Sequence, residues 1–192
     1  AIPVIYNGVP LENCIRKVSY NIGETVNLLH IGRYSEQKNH VEMIKAIVNL
    51  HSKYQNIRLH LWGDGPLKGT ISDLIANNHA ANYIIEHGLC DKSYQHFCDA
   101  DIFLLPSKYE GMPMTLIEAM GTALPIVASK VGGIPDMIKD SENGLLCSPI
   151  AEDIAQKIET LILAPRLREQ LGCNAILKAN DFTSQKMAEQ YL

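Results

Sequence analysis

The chain has 192 residues, a formal net charge of −4, 46% hydrophobic and 20% charged residues. This balance fits one large domain with its own core and argues against a nucleic-acid-binding surface. No apolar run reaches the length of a membrane span, and the start "AIPVIYNGVP" has neither the basic region nor the cleavage signature of a signal peptide. Cys14, Cys90, Cys98, Cys147 and Cys173 are odd in number and form no C-x-x-C pair, which reads as reduced thiols in a cytoplasmic setting.

Strand-length apolar runs alternate with segments of helical period. "VNLLHIGR" (26–33) predicts a buried strand, and 40–54 a helix with Val41, Ile44, Ile47 and Val48 on one face. "IRLHLWG" (57–63) is the next strand, closed by the turn signal Gly63-Asp64-Gly65-Pro66. A helix over 67–78, a short strand over 83–88 and a brief helix over 94–98 follow. "DIFLLPS" is a strand almost without polar residues, and it leads into a helix entered through Gly111 and Pro113 and ending near Gly121. The strand "LPIVAS", a short helix near 135–138, the strand "GLLCS" and helices over 151–163, 166–178 and roughly 183–192 complete the chain. Strands apolar on both faces, alternating with helices, predict one doubly wound α/β domain with a parallel sheet. In such sheets ligands sit beyond the carboxyl ends of the strands.

Four strand exits carry chemistry. The first holds Arg33 and Lys38, the second the flexible Gly-Asp-Gly turn, the third His87 and Gly88. The fourth is "PSKYEGMPMTLIEAMG", where Glu110 precedes a helix entry and Glu118 lies one turn beyond Met114. Free N–H groups near Met114 and Thr115, with the helix dipole, make an anion site. Two carboxylates do not attract a phosphate by themselves, so Arg33 and Lys38 supply the positive charge. Glu118 is then placed to accept from ribose hydroxyls and Glu110 from a second sugar, and the spacing predicts a nucleoside diphosphate sugar as ligand. Asp99-Ala100-Asp101 has a metal-binding pattern, but it precedes its strand; at ~3.3 Å per residue it should lie more than roughly 10 Å from the strand exits. It reads as a structural feature, and no metal is expected to be required.

"EGMPMTLIEAMGTALPIVASKVGGIPDMI", with two glutamates separated by seven residues, resembles the signature of glycosyltransferase family 4. "HIGRYSEQKNH", "LWGDGPLKGTI", "IIEHGLC", "CDADIFLLPSKYEGMP", "ENGLLCSP" and "VIYNGV" resemble its other blocks in order, so the likeness covers nearly the whole chain. Asp136 departs from the glutamate common after Gly-Gly-x-Pro, and keeps the charge.

The resemblance implies the C-terminal, nucleotide-sugar-binding half of a GT-B architecture, with residues 1–192 as donor domain and the N-terminal acceptor half outside the chain. It implies that Arg33 and Lys38 bind the diphosphate and stabilise it as it leaves, joined by backbone N–H groups at Met114 and Thr115 and by the Gly111 turn. Glu118 would hold the ribose, Glu110 would contact the transferred sugar, and the base would lie against His87 and Gly88. Transfer of a hexosyl or N-acetylhexosaminyl group would proceed with retention and without a metal or other cofactor, from a UDP- or GDP-sugar. The acceptor would be a saccharide or glycolipid held by the absent half, in polysaccharide biosynthesis. The implied location is cytoplasmic, with peripheral docking at the inner face of the membrane through that half, and the isolated domain would not turn over alone. A nucleotide-sugar-binding module that kept the fold without turnover stays open as the alternative.

Overall fold

The computed structural model describes residues 7–90 and 94–190. Residues 4–6 of the "VIYNGV" block and the last two residues of the final predicted helix lie outside them. The strands β1 (Val26–Ile31), β2 (Ile57–Trp62), β3 (Ile84–Gly88), β4 (Ile102–Leu105), β5 (Ile126–Ser129) and β6 (Leu145–Cys147) form one sheet in the order β3-β2-β1-β4-β5-β6. Every pairing is parallel. The order reverses between β1 and β4, which is the topological switch point where such sheets open a crevice.

The helices are α1 (His40–His51), α2 (Lys68–Asn77), α3 (Tyr94–Phe97), α4 (Met114–Gly121), α5 (Ile134–Met137), α6 (Ala151–Leu163), α7 (Pro165–Ala179) and α8 (Ser184–Gln190). One core lies between the sheet and α1, α2 and α6, and is built from Ile44, Ile47, Leu59, Ile71, Ile154 and their neighbours. The other lies beneath α3, α4, α5 and α7, around Phe97, Phe103, Leu116, Ile117 and Met120. Every residue of β4 and β5 is buried, as expected of strands covered on both faces.

Helix α4, eight residues long, is too short to persist by propensity alone. Its fully buried Leu116, Ile117 and Met120 hold it on the sheet, each contributing about 1.5–3 kcal/mol of burial. The N-terminal segment is stitched across the domain. Lys17 Nζ bonds the Ala100 carbonyl at 2.7 Å, and Val9 pairs with Thr183 in an isolated parallel bridge. Arg168, 3% exposed, donates through Nε and Nη2 to the Tyr20 carbonyl, and through Nη1 to the Leu161 and Ile162 carbonyls at the end of α6.

Candidate functional site

The loops leaving β1 and β4 are laced together at the switch point. Gly32 N bonds the Trp62 carbonyl and Tyr34 N the Asp64 carbonyl, fixing the β1 exit to the β2 exit. Gly63, at φ +146°, lets its backbone lie against the Gly32 carbonyl, where a Cβ would collide. The chain then makes a single 3-10 turn, Glu36–Lys38, and passes through Asn39 in the left-handed conformation (φ 57°, ψ 39°) to start α1. Asn tolerates that conformation better than most residues. Buried Asn39 uses Nδ2 to donate to the Pro106 carbonyl after β4 and the Pro149 carbonyl after β6, each at 3.0 Å.

This places Lys38 Nζ 2.6 Å from Glu110 Oε1, with side chains 14% and 5% exposed. Ser107 Oγ donates to the same oxygen at 2.7 Å, and Gln37 Nε2 donates to Oε2 at 3.2 Å. Gln37 also donates to the Tyr109 carbonyl, and its own carbonyl accepts from Lys108 N. Removing one partner of so buried an ion pair costs about 3–5 kcal/mol. Arg33 is exposed, and among the described residues no hydrogen bond or ion pair engages its guanidinium.

Behind Lys38 lies a pair of neutral imidazoles. His30 is fully buried, and its Nδ1 meets the Leu104 carbonyl at 2.9 Å. His40 packs edge-on against it, with ring centroids 4.8 Å apart, and lies 4.6 Å from the Tyr34 ring. Neither nitrogen of His40, nor Nε2 of His30, has a hydrogen-bond partner among the described residues. Burial, with a smaller contribution from the Lys38 charge, pushes His30 down to about 4 and His40 to about 2. No further positive charge is therefore added near Lys38 at neutral pH.

On the β4 side, α4 starts at Met114, exposed, and Thr115, half-buried. The loop before it is buttressed by Gly132 and Gly133. Gly132 (φ +51°) lies where a Cβ would collide with the Glu110 carbonyl, and Gly133 N donates to that carbonyl at 3.1 Å. Exposed Gly111 packs its carbonyl against Gly133. Glu118 stands one turn into α4, half-buried, with its charge beside Cys14. Burial first, then Glu118, pushes the Cys14 thiol up to about 11.

Of the residues expected at the site, Lys38 and Glu110 are in direct contact, Arg33 lies on the same strand exit as Lys38, and Gly111, Met114 and Thr115 lie in the loop after Glu110 and at the start of α4. Gly88 (φ +81°) stays at the β3 exit, where its carbonyl accepts from Gly63 N. The His87 side chain turns instead onto the sheet face. Its ring stacks on Trp62 at 4.4 Å, and its Nε2 meets His60 Nδ1 at 2.9 Å. The groove there, of about 270 Å³, is lined by Asn27, His60, Trp62, His96 and Asp99. Asp101 lies at the start of β4, where Oδ2 accepts from Asn27 N at 2.9 Å and Oδ1 pairs with Lys17 at 3.5 Å.

Sequence reasoning missed Gln37, Ser107, Asn39 and the Gly132-Gly133 pair as parts of this site. The doubled glycine was the one local signal. The others act through loops that become neighbours only because β1 pairs with β4.

The chain is 32% identical over 149 residues to the sulfoquinovosyl transferase SQD2 of Arabidopsis thaliana, covering 76% of this chain and 28% of that protein. It is 29% identical over 178 residues to the N-acetyl-alpha-D-glucosaminyl L-malate synthase of Bacillus anthracis, covering 91% of this chain and 46% of that protein. The chain thus spans half or less of the length of these curated relatives. The C-terminal domain of a glycosyl transferase group 1 family protein (LpcC) from Francisella tularensis superposes with a TM-score of 0.78 at 23% identity, covering 90% of this chain and 97% of that one. Anabaena HepE, solved in complex with UDP and glucose, superposes with a TM-score of 0.87 at 21% identity over 98% of this chain and 56% of that one. Residues 15–178 match the family described as glycosyl transferases group 1, and the chain belongs to that family.

Proposed function

We propose that this chain is the donor-binding domain of a glycosyltransferase that takes a hexosyl or N-acetylhexosaminyl group from a nucleoside diphosphate sugar. The observation that carries the reading is the meeting, at the β1/β4 switch point, of the Arg33–Lys38 loop with the Glu110 loop that leads into α4. Arg33 and Lys38 take the diphosphate from one side, and the N–H groups of Met114 and Thr115 take it from the other. Glu118 accepts from the ribose hydroxyls, and the base lies along the β3 exit at Gly88. UDP in the solved complex of Anabaena HepE supports uridine as the first base to try, with guanosine next.

Negative charge develops on the diphosphate as the sugar departs, so preorganised cations and amides there lower the barrier. We infer retention of configuration, with the acceptor hydroxyl attacking on the face the diphosphate leaves, and no metal in the step: Arg33, Lys38 and the helix tip carry the countercharge. The acceptor, a saccharide or glycolipid, is assigned to an N-terminal half beyond this chain, so the domain binds donor without turnover. A cytoplasmic setting, at the inner face of the membrane for the whole enzyme, belongs to the same reading.

Isothermal calorimetry with uridine and guanosine diphosphates tests it. A charge-assisted contact contributes about 1.5–3 kcal/mol, so Arg33→Ala should weaken binding by roughly one to two decades. Affinity unchanged in Arg33→Ala would remove that residue from the site.

A further inference from the structure

The Glu110 carboxylate is held by more than its ion pair. Ser107 Oγ donates to Oε1 at 2.7 Å, Gln37 Nε2 donates to Oε2 at 3.2 Å, and the Glu110 carbonyl accepts from Gly133 N at 3.1 Å. Ser107 is itself fully buried, and its carbonyl accepts from Ser129 Oγ at 2.5 Å. Ser107 and Gln37 thus restrain the carboxylate, and Gly133 its backbone, independently of Lys38. The carboxylate has about four lone-pair sites and an ammonium three N–H donors. Three of the former are filled here, and Glu110 takes one of the latter, leaving two on a side chain that is 14% exposed.

We propose that Glu110 acts through Lys38: its carboxylate, supported by Ser107 and Gln37, is a positioning group that aims the ammonium at the diphosphate. The assignment rests on the donor-domain reading above. It makes Gln37 and Ser107 positioning residues of the same site. It also inverts what charge alone dictates, since deleting a carboxylate beside an anion site should tighten anion binding.

The test is calorimetry on this chain with uridine, guanosine and adenosine diphosphates, carried forward with the tightest. Glu110→Gln is expected to weaken the sugar-free diphosphate about tenfold, the scale of one charge-assisted contact. In a Lys38→Met background the same change should add less than about twofold, because the two residues act as one unit. The matching nucleotide glucose and N-acetylglucosamine should lose affinity by at least the factor lost by the diphosphate. Unchanged or tighter diphosphate binding in Glu110→Gln overturns the proposal. So does an equal loss with and without Lys38, or a loss confined to the sugar-bearing nucleotides. Thermal melting checks that each variant is folded. Should Glu110→Gln not fold, Ser107→Ala and Gln37→Ala keep both charges and carry the test: each should weaken the diphosphate about threefold, and no change in either overturns the assignment. A wild-type chain that binds none of the three diphosphates would instead sink the donor-domain reading, and this assignment with it.

Discussion

Replacing His40 by phenylalanine probes what the neutral imidazole pair behind Lys38 costs the fold. His40 is 2% exposed, and neither of its nitrogens has a partner among the described residues. Burial holds it near 2 and His30 near 4, against an ordinary value of 6.5. The folded state thus refuses protons that the unfolded chain accepts. The stability contribution is complete above about pH 6.5 and is lost as pH falls toward the folded values. From pH 7 to pH 5 each withheld proton costs about 2 kcal/mol, so the pair costs about 4 kcal/mol. That is a large share of the roughly 5–15 kcal/mol that holds a typical domain together. Phenylalanine fills nearly the same volume and removes two unpartnered buried nitrogens. His40→Phe should therefore match or exceed wild-type stability at pH 7, and should lose about 2 kcal/mol less between pH 7 and pH 5. Urea denaturation of both proteins at pH 7, 6 and 5 measures the difference directly. Identical losses over that range would mean that His40 takes its proton in the folded state, and the reasoning would fail.

Gly132→Ala places a Cβ against the Glu110 carbonyl at a φ of +51°; a cost of at least about 2 kcal/mol in denaturant, together with weaker nucleoside diphosphate binding by calorimetry, is expected. Arg168→Met strips the Tyr20, Leu161 and Ile162 carbonyls of their shared donor and should lower stability by about 2–4 kcal/mol, with unchanged stability refuting the clamp. The Cys14 thiol, pushed up to about 11 by burial and Glu118, should react with a thiol reagent at pH 8 far more slowly than exposed Cys173. Glu118→Gln should speed the Cys14 reaction, and equal rates in the two proteins would separate that charge from the thiol.

Much of the fold was legible because its signals are local. The apolar run of β4 and the period of α1 announce themselves in any window of the chain, and each predicted element appears within a few residues of its expected bounds. The strand-exit rule likewise singled out Lys38 and Glu110, which lie in contact. Side-chain direction was harder to read. In a strand, alternate residues face opposite sides of the sheet, so the stack of His87 on Trp62 depends on the register of β2 against β3, including its irregularity between Leu61 and Trp62. Gln37 and Ser107 were invisible for a similar reason. A glutamine in a turn and a serine after a strand carry no mark of a shared partner until β1 and β4 are known to be neighbours. The buried pair His30 and His40 was hidden too, since one histidine in a strand and another at a helix start read separately as ordinary core residues.

Asn39 sets a rule for anyone altering this domain. One amide group moors the segments after β1, β4 and β6 to a common point, so lengthening or reshaping any of the three would be felt by the other two. The β2 exit is tied to the same assembly, through Gly32 N to the Trp62 carbonyl and Tyr34 N to the Asp64 carbonyl, so changes there would reach that point as well.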